Sequence, residues 1–435
     1  MRKNLFEKEI SKKERVVSTG LTTVSVACIV YNLIFEYAIN QNFLGLLIIM
    51  HSLYILYCYR ENRGLFIAAF FMLFSNYSIV MGVYWDEAIR PDVLYSQITN
   101  ELIYAKAITT LLMFETTLTA FSIYNVKRGV KTDNKIKEEK PVLLECIVAL
   151  TCAAIVVVIF ITQFDFGAGG DRASITPLFE YKIIFIVIGF VYSKNSRPLQ
   201  AMWIVLIAVT SGASFIGGNR VDGLVAVIAY GTHYHSNIKV SRLAVILFGG
   251  MFAMIGIGYM RTGFTFDRGV WVEIWNNIKE GKFTFDTAVW AYFPSLSSVA
   301  LEQVDYLDKW QLLKDNVIYI FAGGDYAYQL LQNVTRRYYI HENGFVSPLY
   351  FYIWFKLFSG IIVGMLVNMY MKLSVDIKRY EGSKVKYGLY LYFVSMTPRW
   401  YLYGPFTILR GMMLFIIAII IISIMLKLIT GKKSG

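Results

Sequence analysis

RTGFTFDRGVWVEIW opens the interval Arg261 to Phe345, and NVTRRYYIHENGF (Asn333 to Phe345) closes it. On both sides of this interval the chain falls into apolar runs of membrane-spanning length, joined by short connections. The interval itself is too polar to lie in a bilayer. It holds Trp271, Trp275, Trp290 and Trp310, several tyrosines, and charges of both signs that roughly balance. Disordered linkers are poor in aromatics and strongly charged, so this composition predicts a folded external cap. A single large polar insert among many spans is where a membrane enzyme keeps a binding surface for a soluble group.

Composition supports the membrane reading. Of 435 residues 56% are apolar, against about 45–50% in soluble domains, and the mean hydropathy is +0.51. The formal net charge of +12 would suit nucleic acid if it were clustered on one surface. Instead the basic residues recur in alternate short loops, as the positive-inside rule requires, where they meet anionic lipid. Cys28, Cys58, Cys146 and Cys152 all lie in apolar runs and form no CxxC, so they read as packing residues. The N-terminus, MRKNLFEKEISKKER, precedes an apolar run that no small-residue cleavage site follows, and reads as a retained anchor.

Successive apolar runs, most of them near or above the roughly 18 residues that a spanning helix needs, predict about twelve spans. They fall near Val16–Phe35, Phe43–Tyr59, Leu65–Tyr84, Leu102–Tyr124, Val142–Thr162, Leu178–Tyr192, Ala201–Phe215, Val221–Tyr234 and Leu243–Tyr259, then Ser347–Met371, Tyr387–Tyr403 and Phe406–Leu426. The expected plan is an all-α polytopic protein: an N-terminal transmembrane bundle (1–260), the external cap (261–345) and C-terminal transmembrane helices (346–435). VKRGVKTDNKIKEEKP, the most basic internal loop, is expected on the cytoplasmic side with both termini. Gly360 and Gly364 form a GxxxG spacing that predicts close helix contact.

Several charges sit where span ends alone do not call for them. Arg220, in SFIGGNRVDGL, lies at an expected external junction, on the side that positive residues avoid. It can snorkel or pair with Asp222, or its planar fork can hold two oxygens of an anionic headgroup. Arg172 in GAGGDRAS, and Arg261 and Arg268 in RTGFTFDRG, are further external arginines at membrane ends. Gly-rich backbone beside an arginine can form an anion nest. Lys356, Arg399 and Arg410 fall within or at the ends of the last spans, where charge is a functional signal by default, and Arg399 follows the helix-disrupting Pro398. His341, beside Glu342 and Asn343, is the one histidine expected outside, and an imidazole there can exchange a proton near neutral pH. The insert's Trp and Tyr can stack on sugars or form an interfacial belt. The chain has no GxxxxGK[ST], HExxH or GxSxG, and no Asp-x-Asp in the expected external loops. These gaps argue against an ATPase, a zinc protease, a serine hydrolase and a metal-dependent sugar-nucleotide transferase.

Three stretches carry a resemblance. SGASFIGGNRVDGL has a small-residue span end followed by an arginine; IYIFAGGDYAYQLL (Ile318 to Leu331) is an aromatic segment around two glycines; IHENGFVSPLYFYIWFKLFSGIIVG leads from the insert into a span with a glycine pair. Together with the span count they resemble the Wzy-type oligosaccharide repeat-unit polymerases of capsule and O-antigen synthesis, relatives of the O-antigen ligases. The resemblance implies a GT-C-like fold and a metal-independent, cofactor-free glycosyl transfer at the outer face of the bacterial cell membrane. Undecaprenyl-pyrophosphate-linked oligosaccharide is then both donor and acceptor, and a chain-length regulator and a flippase of the same pathway are partners. It also implies pyrophosphate binding by Arg220 with Arg261 or Arg268, Arg172 and Arg399 being further candidates. Candidate bases for the acceptor hydroxyl are His341, Glu342 and Asp325. A lipid-linked oligosaccharide flippase and a ligase-like transferase are the competing expectations, although no symmetry between halves suggests a transporter.

Overall fold

The computed structural model describes residues 12–85, 100–126, 143–164, 177–193, 196–217, 220–234, 238–261, 269, 272, 275–276, 279–280, 286–304, 307–339, 344–376 and 383–430. Among these the fold is all-α, and Phe345 and Tyr403 meet in a single parallel bridge. The first nine helices are α1 (Lys12–Ile34), α2 (Gln41–Cys58), α3 (Arg63–Ile79), α4 (Glu101–Val126), α5 (Leu143–Gln163), α6 (Pro177–Tyr192), α7 (Arg197–Ile216), α8 (Arg220–Tyr234) and α9 (Val240–Arg261). Then come α10 (Asp286–Ala300), α11 (Lys309–Ala322), α12 (Phe358–Asp376), α13 (Lys384–Ser395) and α14 (Pro405–Thr430), with short helical turns between them.

Six of these, α1, α2, α3 with its π-helical continuation Val80–Trp85, α5, α7 and α14, are long and apolar enough to cross a membrane, the pattern of a multi-pass membrane protein. Large apolar side chains such as Val16, Leu33, Val158, Val205 and Met425 are exposed along α1, α5, α7 and α14. In water so much exposed apolar surface would aggregate, and lipid is the medium it fits. α3 is the opposite case, buried along nearly all its length at the centre of the bundle. α6 and α8 have only 16 and 15 residues and carry charges in their first turns.

α4 is the hub of one half. It packs along α12, α2 and α1. The closest approach is at the glycine pair: a Cβ on Gly360 would lie 2.5 Å from the Thr110 carbonyl oxygen, and one on Gly364 would lie 2.8 Å from Thr117 Cβ. The GxxxG reading is therefore correct, and its partner is α4. In the other half α13 packs on α8 and α6, while α5 covers α6 and α7 covers α8.

α10 lies within the stretch read from sequence as a cap, yet its side chains are buried against α3 and α4. Its sequence explains this: DTAVWAYFPSLSSVA has no charge after Asp286. Pro294 removes one helical N–H. Its serines bind the chain that follows the insert, since Ser295 Oγ accepts from Val346 N at 2.7 Å and Ser298 Oγ from Ile353 N at 3.2 Å. Gly344, at φ +143°, passes so close that a Cβ would meet Ala291 Cα at 2.8 Å.

Candidate functional site: a partly buried ion cluster at the starts of α6 and α8

α6 begins with Pro177 and carries Glu180 in its first turn; α8 begins with Arg220 and carries Asp222 in its first turn. Carboxylates favour this position because the helix start is the positive end of its dipole. α13 stops at Ser395, and a new six-residue helix, Thr397–Leu402, carries Pro398 in its first turn, where the missing N–H is not needed. That break places Arg399 between the two carboxylates. Its Nη1 is 2.9 Å from Glu180 Oε1, and its Nη2 donates to Asp222 Oδ1 at 2.7 Å. One planar fork thus joins three helical elements. The guanidinium also lies 5.3 Å from the centre of the Tyr403 ring.

Lys182 is two residues along from Glu180 and only 3% exposed. Its Nζ sits 3.4 Å from the centre of the Phe179 ring. Neither Lys182 Nζ nor Arg399 Nε has a hydrogen-bond partner among the described residues. With Glu180, Asp222 and the apolar Ile183, Val225 and Met396 they line a narrow cleft. The free space there admits a water molecule and little more. Buried cationic donors are ordinarily satisfied, so two that are not, on residues lining one cleft, mark it as a place where an acceptor oxygen belongs.

Arg220 is buried, and its Nη1 donates to the Met254 carbonyl of α9 at 3.2 Å. The suggested pairing with Asp222 is taken up by Arg399, which reaches Asp222 from the Thr397–Leu402 helix. Arg410, on α14, closes α11: its Nη1 donates to Tyr319 O at 3.0 Å and Ile320 O at 3.3 Å. Gly323, at φ +62°, leaves the room this needs, because a Cβ there would run into the Arg410 guanidinium. α14 also packs on α6 and on the Thr397–Leu402 helix, which brings the end of α11 towards the ion cluster.

Of the residues singled out from sequence, then, Arg399 lines this cleft half-buried, and Arg220 is buried near it. Asp325 is exposed in the short Gly324–Gln329 helix. Of Arg261 only the helical backbone at the end of α9 is described. Arg172, Arg268, His341 and Glu342 lie outside the described residues. Glu180 and Lys182 were not singled out, although two charges inside the otherwise apolar PLFEYKIIFIVIGFVY are a legible signal.

A second polar group ties the halves together. Tyr401, from the same short helix as Arg399, donates to Asn76 Oδ1 at 2.5 Å, and Asn76 Nδ2 donates to Glu115 Oε1 at 2.7 Å and Ser52 Oγ at 3.0 Å. Next to Ser52, the His51 ring nitrogens lie 2.8 Å from Ser25 Oγ and 2.7 Å from Thr119 Oγ1.

No protein-family model, curated protein or solved structure matches the chain.

Proposed function

We propose that this protein is a glycosyltransferase of the bacterial cell membrane that polymerises undecaprenyl-pyrophosphate-linked oligosaccharide repeat units at the outer face, without a metal ion. One observation carries the reading: the cleft between α6, α8 and the Thr397–Leu402 helix is lined by Lys182 and Arg399, whose buried Nζ and Nε have no hydrogen-bond partner among the described residues. One oxygen of the donor's pyrophosphate fits there, with the rest of the headgroup outside the cleft and Arg220 nearby. The acceptor's hydroxyl oxygen bonds to the donor's anomeric carbon, and the bond from that carbon to the pyrophosphate oxygen breaks. Undecaprenyl pyrophosphate leaves with the electron pair, and the cations balance the charge that grows on it. The hydroxyl proton passes to a base, for which His341, Glu342 and Asp325 are the candidates. A transmembrane topology supports the outer-face assignment: counting α4, α6, α8, α9, α12 and α13 with its short continuation as crossings, beside the six long apolar helices, gives about twelve. The starts of α6 and α8 then share the outer side with the 261–345 insert, in a GT-C-like plan with both termini cytoplasmic.

A flippase for lipid-linked oligosaccharide is favoured by one feature, the ionisable Glu115 and His51 buried midway along α4 and α2. Purified protein in detergent, given lipid-linked repeat units and no nucleotide, is expected to build chains of two or more repeats, and chelator is expected to leave the rate unchanged. Movement of labelled lipid across a liposome membrane with no elongation under any condition would replace the polymerase by a flippase.

A further inference from the structure

A second cationic cluster lies where α10 ends. Glu302 is held at both carboxylate oxygens, with Lys356 Nζ 3.0 Å from Oε1 and Lys106 Nζ 3.0 Å from Oε2. Lys309 Nζ donates to the Glu302 backbone carbonyl at 2.8 Å. Asp308, beside Lys309, is engaged in capping α11, where it accepts from Gln311 N at 2.9 Å. Two ammonium groups therefore hold the Glu302 carboxylate, and a third holds its backbone carbonyl. Burial alone would push that carboxyl up, but Lys106 and Lys356 outweigh it and hold Glu302 below the usual carboxylate range.

The backbone at one member of the cluster is held in an unfavourable conformation. Among the described residues three non-glycine residues have positive φ: Glu36 (51°), Tyr37 (67°) and Lys356 (50°). One of the three, Lys356, pairs with Glu302, and the Tyr352 hydroxyl faces Glu302 Oε2 at 3.5 Å. Side chains with a Cβ adopt such conformations at a cost, and they persist mainly where function requires them. Lys356 is also the more accessible of the two carboxylate-bound lysines, with 68% of its side chain exposed.

We propose that Lys106 and Lys356 form a second anion site, in which Glu302 stands in for a pyrophosphate, and that it anchors the lipid pyrophosphate of the acceptor. This rests on the polymerase reading for the acceptor's identity but not for the binding itself. The chemistry calls for two sites. Donor and acceptor both carry pyrophosphate, and the acceptor's reacting hydroxyl is at the far end of its repeat unit. Its pyrophosphate must therefore sit one repeat unit away from the donor's. α11 measures that separation: Lys309 at its start touches Glu302, and Tyr319 near its end accepts from Arg410 on α14, which packs on α6 and on the Thr397–Leu402 helix of the first cluster. Fourteen helical residues span about 20 Å.

The test uses the full chain in lipid nanodiscs, titrated with inorganic pyrophosphate by calorimetry. Two sites are expected. Lys356→Gln removes or weakens one of them by about tenfold or more, the scale of a lost charge-assisted hydrogen bond. Glu302→Gln tightens the same site, because the competing carboxylate is gone. Lys356→Gly raises the unfolding temperature by relieving the backbone while still weakening the site. Undecaprenyl pyrophosphate displaces the probe, and phosphatidylglycerol at the same concentration does not. A single site in every variant, or binding at the second site unchanged by Lys356→Gln and Glu302→Gln, would overturn the proposal. So would displacement by phosphatidylglycerol alone. Two such sites in a protein that forms no polymer would uphold the anion site and reject the polymerase, so the two readings fail separately.

Discussion

Lys182 and Glu302 show how differently two charged residues can be placed. Lys182 is buried with no hydrogen-bond partner for its Nζ, and a buried charge held only by the Phe179 ring does not recover its full cost of desolvation. Lys182→Met keeps the stem and removes the charge. It is expected to leave thermal stability in detergent equal or improved while polymer formation falls at least about tenfold, the worth of one charge-assisted hydrogen bond. A parallel loss of stability and activity would make Lys182 structural. Glu302 is the reverse case, a carboxylate whose folded-state pKa is depressed by Lys106 and Lys356 against the effect of burial. A depressed carboxylate stabilises the fold above its unfolded pKa of about 4.3. That contribution is lost as pH falls through the lower, folded value. Unfolding temperatures of the parent protein should fall below about pH 4 more steeply than those of Glu302→Gln. Equal slopes would show that the triad contributes nothing to stability.

At the scale of elements, the decisive device is the break between α13 and the Thr397–Leu402 helix. Continuous helix would carry Arg399 and Tyr401 past their partners. With the break, Arg399 faces Glu180 and Asp222 on one side, and Tyr401 faces Asn76 on the other. The six-residue helix therefore joins the α6–α8 half to the α3–α4 half. The α4–α12 contact is the matching device within one half. Gly360→Val is expected to destabilise the protein by about 1–3 kcal/mol, as forced overpacking does, because its Cβ would meet the Thr110 and Phe114 backbone and not a movable side chain. The same change at Gly212, where a Cβ meets nothing within 4 Å, is the control. Equal effects at the two positions would mean that the close approach of α4 and α12 is unimportant.

For the whole molecule, the topology remains the sharpest test. Cysteines introduced at Lys282 and Lys135 should label from outside and from inside respectively, as the basic Lys127–Lys140 loop directs. The reverse pattern would put the cap, and both cationic clusters with it, on the cytoplasmic side. A glycosyl transfer from a lipid that has already crossed the membrane would then be impossible at these sites.

Hydropathy and charge placement were enough to establish an all-α, multi-pass chain, because removing backbone polar groups and apolar side chains from water leaves a membrane protein few alternatives. The GxxxG contact was legible for the same kind of local reason, since small residues four apart form one flat helix stripe. The arginine after Pro398 stood out as an intramembrane charge. What was not legible is which charges meet. Arg399 and Asp222 are 177 positions apart, Lys106 and Glu302 are 196 apart, and spacing along a chain says nothing of contacts that only helix packing creates. The burial of α10 inside the bundle also came from the tertiary structure alone. Its 15 residues lie between charged, polar segments that read as a cap, and only the surrounding α3 and α4 make it core.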